Sequence, residues 1–189
     1  MYYRLGADVA GMSQYWRPLN NEHVLTILGE VLDVENDAID LPFRFEVNFT
    51  PGLDGGPARQ PLYAFLPNVN AMHKRLVESI RGAGADNLQS FAAQVVDGAT
   101  GEVVDDYEVV NVVGMVSCAN LQKSRAHPIA GVYYFEELVI DPAATDGQLM
   151  FRLAESPMEI VVHGRVADAI RAESFEGVTL EPLSESPGA

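Results

Sequence analysis

Two periodicities divide this chain. Phe43, Phe45, Val47 and Phe49 alternate with Arg44, Glu46 and Asn48, which predicts a strand with one buried face. The same period of two returns at Leu149, Phe151 and Leu153, set against Gln148, Met150 and Arg152. Ser156-Pro157 is expected to break that strand, because proline fixes φ and lacks a donor N–H. Residues 158–162 then read as a short buried strand. Gly164 opens a helix in which Val166, Ala167, Ile170 and the stem of Arg171 share a face. Gly177 stops it, and Val178, Leu180 and Leu183 resume the apolar pattern. The run 148–183 therefore reads strand, turn, strand, helix, strand.

Residues 1–5 predict a short first strand with Tyr2 and Tyr3 on opposite faces. Pro18 marks a turn after Trp16, whose large ring is expected to be a packing anchor. Residues 20–42 carry six acids (Glu22, Glu30, Asp33, Glu35, Asp37, Asp40) and neither Lys nor Arg. His23, Ile27, Leu28 and Val31 fit a weak amphipathic helix there, and VLDVENDAIDLP fits a strand and loop equally well. Residues 48–61, with three prolines and three glycines, read as a loop.

The strongest helical spacing begins at Asn68: Val69, Met72, Leu76, Ile80 and Ala83, with Asn68 or Asn70 as N-cap. Lys74, Glu78 and Arg81 take its wet side, and Gly82 and Gly84 end it. Leu88, Phe91, Ala93 and Val95 begin a strand, residues 97–101 form a hairpin turn, and 107–115 is the return strand. Another strand is predicted over 132–140, with Asp141-Pro142 turning after it. Helix, glycines and strand occur at 69–95 and again at 165–183 without sequence identity. A recurring packing unit accounts for that echo better than a duplication. The fold class expected is α+β: a mixed or antiparallel sheet with a few packing helices, in one domain.

Charge narrows the partners. The 189 residues hold 27 Asp and Glu against 12 Lys and Arg, a net charge of −15, while 48% hydrophobic content excludes a disordered acidic chain. So acidic a chain is repelled by nucleic acid and by anionic lipid, and a basic protein is the complementary partner. The acids concentrate in 20–42 and in 97–108, where Asp97, Glu102, Asp105, Asp106 and Glu108 are accompanied by no base. The second run reads either as a solvated hairpin rim or as an acidic surface that meets a basic partner. The N-terminus lacks a charged-then-apolar signal region, and no apolar run suits a membrane span, so a cytoplasmic location is expected.

Reactive chemistry is not encoded in recognisable form. Cys118, the one cysteine, sits among apolar residues as a buried, inert thiol would. His23, His73, His127 and His163 have no partner at metal-ligand spacing, so no metal is expected. His73 reads as half-buried or solvated, and His163 as a capping or surface residue. No nucleophile elbow or phosphate-binding glycine loop occurs. Asp105-Asp106 and Glu136-Glu137 would point to opposite faces of a strand, which argues against a shared-proton pair. No cofactor and no catalytic residue is expected.

The order FRL, SPMEIVV, RVADAI, GVTLEPL resembles immunity-protein family eleven of bacterial polymorphic toxin systems. The likeness continues in GADNLQSFAAQVVD after the first helix, and in YEVVNVVGMVSCANLQKS through Asn111, Val112, Cys118 and Ser124. It covers about residues 61–183, with 1–60 a loosely matching segment of the same domain and 184–189 a disordered tail. It departs at Ala119-Asn120-Leu121, where the family has a leucine and an aspartate directly after the cysteine position. The resemblance implies an α+β fold and a stoichiometric role: binding and neutralising a cognate toxin, a basic protein whose nucleic-acid substrate an acidic surface can mimic. Candidate partner-binding residues are Asp33, Glu35, Asp37, Asp40, Asp105, Asp106 and Glu108. The rival readings are a self-associating structural or scaffolding subunit, compatible with a homo-oligomer, and a small-molecule enzyme using scattered carboxylates.

Overall fold

The computed structural model describes residues 1–7, 16–24, 29–47, 59–65 and 69–186. The chain opens with β1 (Tyr2–Ala7) and β2 (Trp16–Pro18), followed by a 3-10 turn at Glu22–Val24. Next come β3 (Phe43–Val47), β4 (Leu62–Phe65), β5 (Val69–His73) and α1 (Lys74–Gly82). The long hairpin β6 (Leu88–Asp97) and β7 (Val103–Val112) precedes β8 (Met115–Val116), β9 (Arg125–Ile129), β10 (Val132–Glu137) and β11 (Val139–Ile140). After a 3-10 turn at Pro142–Thr145 the chain finishes with β12 (Met150–Leu153), β13 (Ser156–His163), α2 (Gly164–Ala172), β14 (Val178–Pro182) and β15 (Ser184–Glu185). This is an α+β fold, as the sequence predicts.

Two larger sheets are wired alike. The six-stranded sheet runs β2-β3-β6-β7-β5-β4 and the five-stranded sheet runs β14-β1-β13-β12-β8. In the first, β4 and β5 form a hairpin, α1 crosses to β6, and antiparallel β7 lies between β5 and β6. In the second, β12 and β13 form a hairpin, α2 crosses to β14, and antiparallel β1 fills the equivalent gap. Both helices start from a histidine that ends the preceding strand. His73 and His163 each accept a hydrogen bond through Nδ1 from the backbone N–H two residues on, at 3.2 Å. Each histidine stacks edge-on against a tyrosine at its register position, His73 on Tyr107 and His163 on Tyr2. Three, four and seven residues after the histidine, Leu76, Val77 and Ile80, or Val166, Ala167 and Ile170, are buried. That spacing is one stripe of a helix, and the two stripes pack on one shared core. The echo noted in the sequence is thus a repeated packing unit, and the N-terminal segment supplies β1 to complete the second copy.

The cores explain which strands alternate. One face of the six-stranded sheet (Phe43, Phe45, Val47, Ala93, Val95, Tyr107, Val109) packs under Val24, Leu32 and Ile39 from the segment before β3. The five-stranded sheet is covered on both sides, by the helices through Met150, Ile160 and Val162, and by Phe135, Leu138 and Ile140 through Phe151, Leu153 and Val161.

Several expectations are corrected. All four residues of β12 are buried, Arg152 included at 1% exposure, because both faces of the sheet are covered at this strand. Arg152 Nη1 donates to the Pro157 carbonyl at 2.9 Å, and burial pulls its pKa down to about 10. The break expected at Ser156-Pro157 falls at Ala154-Glu155 instead, and Pro157 lies in β13 ahead of the stretch that pairs with β1. Pro18 likewise sits in the edge strand β2, where a missing donor removes no ladder bond.

The helix expected from Asn68 begins only at Lys74. Residues 69–73 pair with both β4 and β7, so Asn70 is a buried strand residue and His73 is the cap, while Asn68 lies outside the described residues. α2 ends at Ala172, well before Gly177; that glycine has φ +81° and leaves room for the Gln60 amide. The strand expected over 107–115 covers Val103–Val112, and the one over 132–140 is interrupted between β10 and β11. Residues beyond Leu183 do pack: β15 pairs with β11, and Glu185 accepts from the Tyr2 N–H at 2.7 Å. Residues 187–189, Ile27, Leu28, residues 48–58 and the side chain of Trp16 lie outside the described part.

Candidate functional site

The acids of residues 20–42 form a lobe clamped over the six-stranded sheet. Its described part contains neither helix nor strand beyond the 3-10 turn, so the backbone groups that its own turns leave unpaired must be satisfied from outside. Gln89 on β6 does this for Leu32: the Leu32 N–H donates to Gln89 Oε1 at 2.7 Å, and Gln89 Nε2 donates to the Leu32 carbonyl at 3.0 Å. Buried Asn111 on β7 donates to the Glu30 carbonyl at 2.7 Å and to Gln89 Oε1 at 3.1 Å. At the far end, Asn20 and Asn21 both donate to the Asp40 carbonyl, and Asn21 Oδ1 accepts from the Asp40 N–H. Val24, Leu32 and Ile39 are the apolar pegs beneath.

Within this frame the four predicted acids divide in two. Asp33 Oδ1 accepts from the Glu35 and Asn36 N–H groups at 3.0 and 2.8 Å, and Asp37 Oδ2 accepts from the Asp33 N–H at 2.7 Å. These two shape the turn, as short acidic side chains commonly do. Glu35 and Asp40 are exposed, as are Glu22 and Glu30, and none of the six acids has an ion pair among the described residues. Interleaved with them are Val31, Val34 and Leu41, exposed at 67%, 39% and 44%. Glu22 and Glu30, and these three apolar side chains, were not among the sequence-level site candidates. The apolar ones carry no sequence signal, since a valine between acids reads as a core residue until its neighbours are known.

The hairpin acids are placed differently. Asp106 Oδ2 is 3.2 Å from His73 Nε2, and Glu108 is 3.9 Å from Arg81 of α1. Lys74 Nζ donates to the Asp105 carbonyl at 2.9 Å, and Glu102 pairs with Arg59. The structure therefore turns Asp106 toward His73 of β5 and Glu108 toward Arg81 of α1, leaving Asp105 and Glu102 as the exposed carboxylates of the hairpin. Lobe and hairpin do not form one charge cluster of like character.

Elsewhere, a polar cleft of about 440 Å³ lies between 84–87, 113–114 and 146–149, and another of about 290 Å³ holds Arg59, His73, Arg75 and Asp106. Among the described residues no group of three or more His, Cys, Asp or Glu is arranged to hold a metal ion. Cys118 is buried, and desolvation, then the nearby Glu155 and Asp141 carboxylates, push its thiol up to about 12. No helix of the described residues is long and apolar enough to cross a membrane. No known-family model matches this chain, and a search of curated proteins returns no match.

Proposed function

We propose that this chain is a stoichiometric binding protein that captures a basic partner, and that the partner is a toxin, as the likeness to immunity-protein family eleven implies. The observation that carries the reading is the lobe of residues 20–42. It offers six carboxylates without an internal counter-charge, set among exposed Val31, Val34 and Leu41 and held in place by Gln89 and Asn111. Opposed fields speed encounter and discriminate partners, while desolvated apolar anchors hold the complex once formed. A clamped surface also loses little conformational freedom on binding. Blocking a toxin this way requires complementarity and no chemistry.

The test is affinity capture with the tagged chain from its source lysate, eluted at low and then high salt, with the captured protein then co-expressed for rescue of growth. We expect one stoichiometric basic protein, released by salt and toxic when expressed alone. Glu30→Gln/Glu35→Gln/Asp40→Asn should abolish low-salt retention, whereas Asp105→Lys/Asp106→Lys should weaken it less. Recovery of the chain alone would sink the proposal. Recovery with itself would favour the scaffolding alternative, which the outward β9–β10 face supports with Ile129 and Tyr134 exposed at 56% and 59%.

A further inference from the structure

The two halves correspond beyond their helices. In the six-stranded sheet β3 runs parallel to the last residues of β6, with Phe43 opposite Ala93 and Arg44 opposite Gln94. In the other half β11 runs parallel to β15, which continues the line of β14, with Val139 opposite Ser184. One constant offset in sequence takes His73 to His163, Leu88 to Val178, Ala93 to Leu183 and Gln94 to Ser184, and at each pair the strand neighbours correspond. The segment covering the outer face also comes directly before the parallel strand both times. The acidic lobe precedes β3, and residues 117–138, with Phe135 and Leu138, precede β11.

The chain therefore runs twice through one order: leading strand, cover, parallel strand, hairpin, helix, closing strand. The first unit is β1 through β6 and the second is β7 through β15, with β1 and β7 as the leading strands. Neither leading strand lies in the sheet of its own unit. β7 is inserted between β5 and β6 of the first, and β1 between β13 and β14 of the second. Each donated strand also carries a buried tyrosine whose hydroxyl bonds to the recipient just ahead of its hairpin. Tyr107 reaches the Gln60 carbonyl at 2.8 Å, and Tyr2 reaches Thr145 Oγ1 at 2.7 Å.

We propose that reciprocal exchange of leading strands is a lock built into this fold, so that the two sheets open only together. Exchanging an identical element is a low-cost way to hold two protomers, and here it operates within one chain. Both donated strands are central, so two ladders must part at each before either unit is released. The acidic lobe is thereby strung from β1 in one sheet to β3 in the other, and a partner held there is held by both sheets. The lock is independent of what the lobe captures.

Two experiments on the full chain test it. Val161→Ala removes bulk from β13 on the face turned toward Phe135 and Phe151, away from the core that the two helices share. In native-state hydrogen exchange the amides of β6 and β7 should then accelerate by the same factor as those of β1 and β13, at least about tenfold. Acceleration confined to the five-stranded sheet would overturn the lock. In the second experiment a protease recognition sequence is inserted between Ala99 and Thr100, in the exposed turn that joins the units, and is cut after folding. The cut protein should run as one particle holding both halves and unfold in urea in a single transition whose midpoint rises with protein concentration. Halves that elute separately in native buffer, or two urea transitions, would reject the exchange. So would an insertion that abolishes folding before the cut, because the turn would then belong inside a unit.

Discussion

Replacing Gln89 with methionine keeps the length and aliphatic stem of the side chain and removes its amide. Two hydrogen bonds to the Leu32 backbone disappear, at 2.7 and 3.0 Å, together with the one that Asn111 donates to Gln89. A typical intramolecular hydrogen bond contributes about 0.5–1.5 kcal/mol net, so the two that reach the lobe contribute about 1–3 kcal/mol to its closure. Opening of the lobe should then become roughly fivefold to 150-fold more frequent. Hydrogen exchange reads this directly. The Asp37 and Ile39 amides donate within the lobe, to the Asp33 and Val34 carbonyls at 2.9 Å, and should exchange faster by that factor. Val109 and Val110 in β7 should exchange at the wild-type rate, because local opening and global unfolding are separate events. Equal acceleration of β7 would show that lobe and sheet open as one unit. No acceleration anywhere would show that the apolar pegs and the asparagine hydrogen bonds hold the lobe without Gln89. Either result would refute the clamp.

The remaining predictions concern the frame. His163→Ala and His73→Ala should each lower stability by about 1 kcal/mol in thermal or urea unfolding, with Asn at either position restoring most of it. Cys118 should resist a colorimetric thiol reagent at pH 8 in the folded chain and react stoichiometrically in denaturant. Because its folded pKa of about 12 lies above the ordinary 9.0, its contribution to stability is full below pH 9 and is lost as pH rises toward 12. Arg152→Met, which fills the buried site without a charge, should be more stable than Arg152→Ala, which leaves a void, by at least about 2 kcal/mol.

What the sequence discloses here depends on how many faces of an element are covered. β3 is legible because Arg44 and Glu46 lie on the polar side of a strand whose other face is buried, so the pattern has a period to show. β12 is misread because both faces are buried, and Arg152 mimics a solvent position while serving as core. β5 is misread for another reason. Val69, Met72 and Leu76 satisfy helical spacing, yet residues 69–73 are claimed by β4 on one side and β7 on the other. The pairing with β7 involves residues over 30 positions away, which no local pattern contains. The acids of the site are legible as composition, but their partners are not. Asp106 and Glu108 look like Asp33 and Glu35 until α1 and β5 bring His73 and Arg81 to the first pair.

That contrast has a kinetic consequence. Exposed like charges a few ångströms apart repel by only about 1 kcal/mol in water, so a lobe of carboxylates is tolerated without damage to the fold. Its charges are therefore free to act on encounter, over a screening length of about 8 Å at physiological salt. Val31, Val34 and Leu41 cannot act at that range and contribute only after contact, when their area leaves water. The two sets should separate in surface plasmon resonance against the captured partner. Glu30→Gln/Glu35→Gln/Asp40→Asn should slow association and flatten its salt dependence, with dissociation nearly unchanged. Val31→Ala/Leu41→Ala should leave association and its salt dependence alone and speed dissociation. A charge variant that alters only dissociation would mean that these carboxylates are desolvated contacts and not a steering field.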